Sequence, residues 1–260
     1  MKRFILAFQF LTIIPIRTSG AVSSRDLAAS MAYFPVVGAF QGGVLYVLLR
    51  LLSLRGGLLP DFVVAGVLLF VLTLTNGGLH LDGFADTVDG MAGGHTPADR
   101  LRIMKDSSTG AVGMVFLMLI ILLKYLALLG ALGLSGGAAG APGALVFLFP
   151  VAARWAVVPL ANLAPYARKE GGLGEAFAEG GGRALAVSTA IAFVLAFVAG
   201  GLYCVAPLFV LLFAAYVSSR YFRSRLGGVT GDVFGFQSEV SEAIFLLSAP
   251  VFLKLLPSFV

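Results

Sequence analysis

Charged residues are scarce in this sequence of 260 residues: Asp, Glu, Lys and Arg together make up 12%, whereas hydrophobic residues make up 59%. A soluble domain carries roughly a quarter of its residues as charged side chains. An ordinary soluble protein is therefore excluded, and much of the surface is predicted to face lipid. Cysteine is almost absent as well, since Cys204 stands alone in an apolar run and is interpreted as a packing residue. This excludes an internal disulfide and a zinc site built on cysteine pairs.

Long apolar stretches are the main feature that is present. A bilayer core of roughly 30 Å requires about 20 helical residues, and the stretches lack the alternation of barrel strands. A shorter segment, 4–16, contains Gln9 and Thr12 and stops at Pro15, so it is predicted to be interfacial or re-entrant. The sequence predicts an all-α, polytopic integral membrane helical bundle in one domain, 1–260. About seven transmembrane helices are predicted, at 31–52, 62–81, 111–134, 143–163, 185–203, 205–219 and 241–256.

Basic residues alternate between the two sides that these helices define. Arg50, Arg55 and Lys254 lie on one side, thirteen others lie on the opposite side, and Lys124 and Arg154 fall at membrane depth. The positive-inside rule places the thirteen in the cytoplasm and predicts a multi-pass protein of the cell's inner or plasma membrane. The net charge of +5 reflects these loops and predicts no nucleic-acid partner. The thirteen are Lys2, Arg3, Arg17, Arg25, Arg100, Arg102, Lys105, Arg168, Lys169, Arg183, Arg220, Arg223 and Arg225.

Acidic side chains are concentrated in the stretch 76–113. If residues 80–91 are helical, Asp82, Asp86 and Asp89 stand at i, i+4 and i+7, within about 60° of one another around the axis. Such carboxylates repel one another, and an uncompensated Asp at the end of a span costs about 2.5 to 3.5 kcal/mol. Mg²⁺ fits this pattern best, because it is usually held by one or two carboxylates with water and substrate phosphate. A solvated acidic face or a set of helix caps is the alternative.

Further candidate residues flank this stripe. His80 is read as a ligand, a base or a packing residue, and Asp106 either caps the third predicted helix or completes a metal site. A second cluster, 227–242, combines glycines with Asp232, Glu239 and Glu242 on the same predicted face. Glycine-rich turns allow phosphate to approach the backbone, and arginines precede this cluster. Carboxylates, glycines and arginines on one face indicate metal-assisted phosphoryl transfer.

These motifs carry a resemblance to a known family. GGLHLDGFADTVDG, followed by LRIMKDSSTGAVG and later by GGVTGDVFG with Glu242 downstream, resembles cobalamin synthase, or adenosylcobinamide-GDP ribazoletransferase. The opening FQFLTIIPI and the stretch FPVVGAFQG look like that family too, so the likeness covers most of the chain. Phe236 departs from the alanine expected there. The resemblance implies a Mg²⁺-dependent membrane enzyme that joins adenosylcobinamide-GDP to α-ribazole or its 5′-phosphate and releases GMP, late in the assembly of the cobalamin nucleotide loop.

The resemblance also implies roles for individual residues. A catalytic role is assigned to Asp82, His80 and Asp106. The expected partners are the two small-molecule substrates and the lipid bilayer, with self-association and docking of other cobalamin-assembly enzymes left open. Metal binding is assigned to Asp82, Asp86, Asp89 and Asp232, and substrate binding to Arg100, Arg102, Lys105, Arg220, Gly231, Asp232 and Glu242.

Three other functions compete with this interpretation. The CDP-alcohol phosphotransferase motif begins Asp-Gly-x-x-Ala-Arg, but Asp82-Gly83 is followed here by Phe84-Ala85-Asp86. Aspartate-rich membrane prenyltransferases also use Mg²⁺ and a diphosphate, although the DGxxDTxDG spacing is not typical of them. A divalent-cation transporter would place acids deep in several spans, whereas the acids here gather at one predicted face.

Overall fold

The computed structural model describes residues 1–16, 18, 20–54, 58–134, 140–168, 173–178 and 181–256. The topology predictions for Arg17, Arg55 and Lys169 lie outside these residues. Within the described residues every regular element is a helix, apart from an isolated parallel bridge between Tyr166 and Val229. The predicted all-α fold class is therefore confirmed. The helices are α1 (Lys2–Leu11), α2 (Ser24–Ser30), α3 (Phe34–Leu52), α4 (Asp61–Asn76), α5 (Leu79–Gly93), α6 (Pro97–Ile103), α7 (Ala111–Leu132), α8 (Ala141–Leu163), α9 (Leu173–Ala178), α10 (Gly182–Gly200), α11 (Leu202–Leu226) and α12 (Gly231–Leu255).

Five helical segments are long and apolar enough to cross a membrane. The first runs from α2 through a short 3₁₀ turn into α3, and the others are α7, α8, α10 and α11. The bent pair of α4 and α5 raises the number to six if it counts as one span. The predicted number of seven is thus an approximation. The seventh predicted span, 241–256, coincides with the second half of α12 and its C-cap. Helix α12 also carries Asp232, Glu239 and Glu242 and is outside this apolar set.

The second predicted span, 62–81, is wrong at its carboxyl end. Helix α4 stops at Asn76, and Gly77 and Gly78 both adopt left-handed backbone conformations, with φ of 64° and 74°. Glycine reaches such angles without the Cβ clash that other residues suffer. The Asn76 side chain accepts a hydrogen bond from the Gly78 N–H at 2.9 Å. The chain therefore turns by 89°, and α5 leaves the direction of the α4 span.

Helix α8 is the centre of the bundle. In its most apolar stretch 94% of the residues are buried, and it packs against α3, α10, α11 and α12. Helix α7 lies at the periphery, with only 17% of the corresponding stretch buried and with exposed apolar side chains such as Phe116, Met118 and Leu119. Apolar side chains on the outside of a helix bundle are expected where lipid replaces water. The structure therefore has exposed apolar surface of the kind that a lipid-facing protein requires.

Helix α1 is the predicted short amino-terminal segment. Its 10 residues are about half of what a bilayer crossing requires. Leu6, Ala7, Phe8 and Leu11 are buried on one side, where α1 packs against α2 and α3. Such a short, one-sided helix fits an interfacial segment.

Candidate functional site

The crossing of α5 and α12 brings the two predicted clusters together. A Cβ atom at Gly83 would lie 2.8 Å from the carbonyl oxygen of Asp232, and one at Gly235 would lie 2.9 Å from that of His80. Contacts this short leave no room for a side chain, so the two helices touch backbone to backbone. Gly83 and Gly235 are therefore packing residues that place the carboxylates of Asp82 and Asp232 at one crossing point.

A cavity of about 250 Å³ lies at this crossing. His80, Asp82 and Gly83 line it from α5, while Gly231, Asp232 and Gly235 line it from the start of α12. Tyr166 and Arg168, from the segment after α8, complete its polar wall. The structure thus joins residues that are about 150 positions apart in the sequence in one concave site.

The segment that carries Arg168 is held by backbone hydrogen bonds to the loop before α12. The Ala167 N–H donates to the Val229 carbonyl at 2.9 Å, and the Val229 N–H donates to the Pro165 carbonyl at 2.8 Å. From this position the Arg168 guanidinium donates to the Asp232 carboxylate at 2.6 Å. Both side chains are largely buried, with 19% and 23% of their surface exposed. Arg168 is therefore a fixed positive charge in the wall of the cavity.

Among the described residues, negative charge exceeds positive charge around this cavity. Burial, followed by the negative charges of Asp82, Asp232 and Asp89, raises the pKa of Asp86 to about 6, and Arg168 offsets this only in part. Asp86 is therefore within electrostatic reach of three other carboxylates. Such a group favours an added cation, because a nearby positive charge stabilises every ionised carboxylate at once.

Asp89 differs from the other two aspartates of its stripe. Its carboxylate accepts hydrogen bonds from the N–H groups of Gly110 and Gly113, both at 2.7 Å. These groups are the N-cap and the third residue of α7, whose first amides have no partner within the helix. Asp89 thus caps α7 from a neighbouring helix, which is the helix-cap role that the sequence left open for this stripe.

The fit of the site to a metal ion is only partial. Across the described residues there is no group of three or more His, Cys, Asp or Glu side chains close enough to hold one. Asp82 and Asp232 nevertheless face one cavity, with Asp86 in electrostatic reach. Mg²⁺ is commonly bound through one or two carboxylates plus substrate phosphates rather than in an all-protein cage. The donor set suits that mode of binding.

His80 is buried at the base of the cavity, with 4% of its surface exposed. Its Nδ1 atom has no hydrogen-bond partner among the described residues. A buried polar atom of this kind costs free energy unless a ligand or water satisfies it. His80 therefore has the position of a residue that exchanges a hydrogen bond or a proton with a bound ligand.

Other predicted site residues do not belong to the described wall of this cavity. Asp106 is exposed and accepts hydrogen bonds from the N–H and hydroxyl of Ser108, which lower its pKa. The Arg100 guanidinium donates to the Arg225 carbonyl at 3.0 Å, and Arg102 lies 3.9 Å from Asp99 on the exposed face of α6. Lys105 is within electrostatic range of Tyr166. Arg220 is exposed on α11. The predicted substrate contacts of these residues remain untested.

Glu242 lies in a buried ionic network. It pairs with Lys124 at 2.8 Å and with Arg154 at 3.1 Å, and it has no exposed surface. Glu239 also pairs with Lys124. Two carboxylates therefore match two cations between α7, α8 and α12, so these two acids are buried between helices and do not lie in a surface loop. Substrate binding by Glu242 stays a prediction. In this structure its carboxylate is already paired with Lys124 and Arg154.

Arg168 and Tyr166 are site residues that the sequence does not indicate. The position of Arg168 among the basic loop residues predicts only a role in topology, and no motif surrounds either residue. The buried network had a visible signal, because Lys124 and Arg154 fall at membrane depth and buried charges require partners.

The comparisons with known proteins agree with the resemblance. A family model described as cobalamin-5-phosphate synthase matches residues 3–250. The chain is 36% identical over 257 residues to adenosylcobinamide-GDP ribazoletransferase of Desulfitobacterium hafniense, covering 96% of each chain. It is 38% identical over 253 residues to the protein of the same name in Pseudomonas syringae, covering 95% of this chain and 98% of the relative. No solved structure matches it.

Proposed function

The chain belongs to the cobalamin-5-phosphate synthase family, whose relatives are transferases of cobalamin biosynthesis, and we propose that it carries out their ribazole transfer with Mg²⁺ at the cavity between α5 and α12. The cobinamide phosphoryl group of adenosylcobinamide-GDP passes to α-ribazole or α-ribazole 5′-phosphate, and GMP is released. One observation carries the proposal: Asp82 and Asp232, from two of the motifs on which the resemblance rests, line one cavity together with Arg168.

Asp82, Asp86 and Asp232 are the residues that would hold Mg²⁺. When bound, the ion supplies positive charge against the substrate diphosphate. Asp89 is the weaker candidate of the predicted set, because both of its oxygens already accept hydrogen bonds from the amino terminus of α7. The open backbone at Gly231, where an added Cβ would meet nothing within 4 Å, gives phosphate oxygens access to the start of α12.

The other polar residues of the cavity bind the substrate phosphate and take the proton from the attacking hydroxyl. A ribose hydroxyl forms a new bond to the phosphorus on the cobinamide side, and the bridging oxygen leaves with GMP. His80 takes the hydroxyl proton on Nδ1, the atom that has no partner among the described residues. The planar Arg168 guanidinium suits two parallel hydrogen bonds to a phosphate. Each of these side chains already faces the same cavity.

We place this site on the cytoplasmic side of the inner membrane. The basic residues at the amino terminus and in the loops before α7, α10 and α12 support that orientation through the positive-inside rule. A nucleotide substrate made in the cytoplasm would then reach the cavity without crossing the bilayer.

The test measures GMP release by purified full-length protein in lipid vesicles, supplied with adenosylcobinamide-GDP and α-ribazole. We expect release with Mg²⁺, none with a chelator, and loss of most release in Asp82→Asn. Asp61→Asn is the matched control, because Asp61 is an exposed acid at the start of α4. No release from the wild type with either acceptor would reject the transfer. Equal release with and without chelator would reject Mg²⁺ alone.

One observation favours a second function, transport of a cation. Glu239 and Glu242 are buried between helices, as in a transport path. The network with Lys124 and Arg154 carries no net charge, however, and each carboxylate already has a cationic partner. A divalent cation would have to displace those partners, so transfer at the acidic cavity is the better-supported function.

A further inference from the structure

A second cavity, of about 660 Å³, lies among α1, α2 and α10. Three arginines from distant parts of the chain line it: Arg3, Arg25 and Arg183. None of its lining residues also lines the acidic cavity between α5 and α12. We call this cavity the arginine pocket.

Among the residues that the structure describes, Asp26 is the acid that pairs with an arginine of the pocket, so the positive charge of the arginine pocket is balanced only in part. Asp26 lies nearby, 3.5 Å from the Arg3 Nε atom, but it also pairs with Lys2 at 2.8 Å. Arg25 and Arg183 form no ion pair or hydrogen bond with any described residue. Arginine stays ionised at every physiological pH, so gathering three of them favours a bound anion.

The amino terminus of α10 adds a second, independent feature. Gly181 is the N-cap of this 19-residue helix and lines the pocket, and no side chain within the described ranges caps the helix. A Cβ atom at Gly181 or Gly182 would meet nothing within 4 Å, so the backbone there is open. Free N–H groups and the positive end of the helix dipole favour an anion, and phosphate in particular.

The position of the pocket relative to the spans indicates which phosphate it receives. Two candidate spans, Ser24–Leu52 and Gly182–Gly200, begin at the pocket. Below Arg183, exposed apolar side chains continue along one face of α10 at Val187, Val194 and Val198, with 40%, 60% and 77% of their surfaces exposed. These positions lie within about 60° of Arg183 around the helix. A charged pocket above an apolar stripe matches a phospholipid head group above its acyl chains.

We propose that the arginine pocket binds the phosphate group of an anionic phospholipid from the cytoplasmic leaflet, with an acyl chain lying along the exposed face of α10. Basic pockets between helices on that side of a membrane bind anionic head groups in this way. The lipid would fasten α1 and α2 to the amino terminus of α10. The inference does not depend on the proposed transfer reaction, because lipid binding is measured without substrate.

The experiment is native mass spectrometry of the full-length protein in neutral detergent, titrated with phosphatidylglycerol or with phosphatidylcholine of identical chains. We expect a tight phosphatidylglycerol site that is weakened about fivefold for each arginine removed. The triple variant Arg3→Ala/Arg25→Ala/Arg183→Ala is compared with Arg50→Ala/Arg223→Ala/Lys254→Ala, which removes the same charge elsewhere. Arg183→Ala alone, on the exposed start of α10, provides the measurement if the triple variant does not fold.

Loss of phosphatidylglycerol binding in the pocket variants but not in the charge-matched variant would support the proposal. Equal binding of the two lipids by the wild type would overturn it, as would equal weakening in both triple variants. Displacement of the lipid by millimolar inorganic phosphate would also overturn it, because the pocket would then serve a soluble phosphate.

Discussion

The Arg168 guanidinium donates a hydrogen bond to the Asp232 carboxylate at 2.6 Å, and this pair closes one side of the acidic cavity. Asp232 is a proposed metal ligand, so its partner competes with a cation for the same carboxylate. Arg168 is also a positive side chain that faces the cavity. Its removal therefore affects metal and substrate in opposite directions.

Arg168→Ala is expected to lower kcat/KM for adenosylcobinamide-GDP by about 10- to 100-fold, the usual value of a charged hydrogen bond. The Mg²⁺ concentration for half-maximal GMP release is expected to fall, because Asp232 loses its competing partner. Arg168→Lys keeps the charge but not the paired hydrogen bonds, and it should lie between Arg168→Ala and the wild type. Steady-state rates across a Mg²⁺ titration check all three. A loss of activity with an unchanged Mg²⁺ requirement would contradict the competition.

How far the sequence predicts this site depends on how local each feature is. The carboxylate stripe follows from residue spacing on the condition that residues 80–91 are helical, and α5 (Leu79–Gly93) meets that condition. The convergence of Asp82 and Asp232 rests on the contact between Gly83 and the backbone of α12. That contact joins residues about 150 positions apart, and no spacing rule in a single sequence reveals it. The same is true of Arg168, which reaches the cavity only through the backbone pairing of 165–167 with Val229.

The membrane spans, too, are predicted from the sequence only where local composition determines them. Hydropathy locates the apolar helices, but it extends the second span to residue 81, past the left-handed turn at Gly77 and Gly78. Apolar composition continues through the bend, so it cannot reveal that the backbone turns. Hydropathy also starts the last span at residue 241, although α12 begins at Gly231. The charged residues Glu239 and Glu242 indicate a loop by hydropathy, whereas in the structure they pair with Lys124 and Arg154 inside the bundle.

Asp89 is expected to act mainly on stability. Asp89→Ala removes the cap of α7 and should lower the free energy of unfolding by about 0.5 to 2 kcal/mol. Thermal unfolding in detergent measures this effect. Asp82→Asn is the comparison, because Asp82 is exposed and should lose activity with little change in Tm. A Mg²⁺ affinity that falls as far in Asp89→Ala as in Asp82→Asn would instead identify Asp89 as a metal ligand.

The buried ionic network is expected to depend on its charge balance. Lys124→Met leaves Glu239 and Glu242 with Arg154 as the remaining cation, and removing one partner of a buried pair costs about 3 to 5 kcal/mol. The double variant Lys124→Met/Glu239→Gln removes one charge of each sign and should recover much of that loss. Chemical unfolding of the two variants measures the difference. Equal destabilisation in both would show that the network depends on its individual hydrogen bonds rather than on its neutrality.

The crossing of α5 and α12 is expected to tolerate no added methyl group. Gly83→Ala places a Cβ 2.8 Å from the Asp232 carbonyl oxygen, so the helices must separate. Overpacking of this kind costs about 1 to 3 kcal/mol. The separation also moves Asp82 away from Asp232, so we expect most GMP release to be lost while the protein still folds with a lowered Tm. Gly43→Ala on α3 is the matched control, because its Cβ meets nothing within 4 Å. GMP release and Tm are measured on both variants, and full activity in Gly83→Ala would show that the two carboxylates do not have to meet.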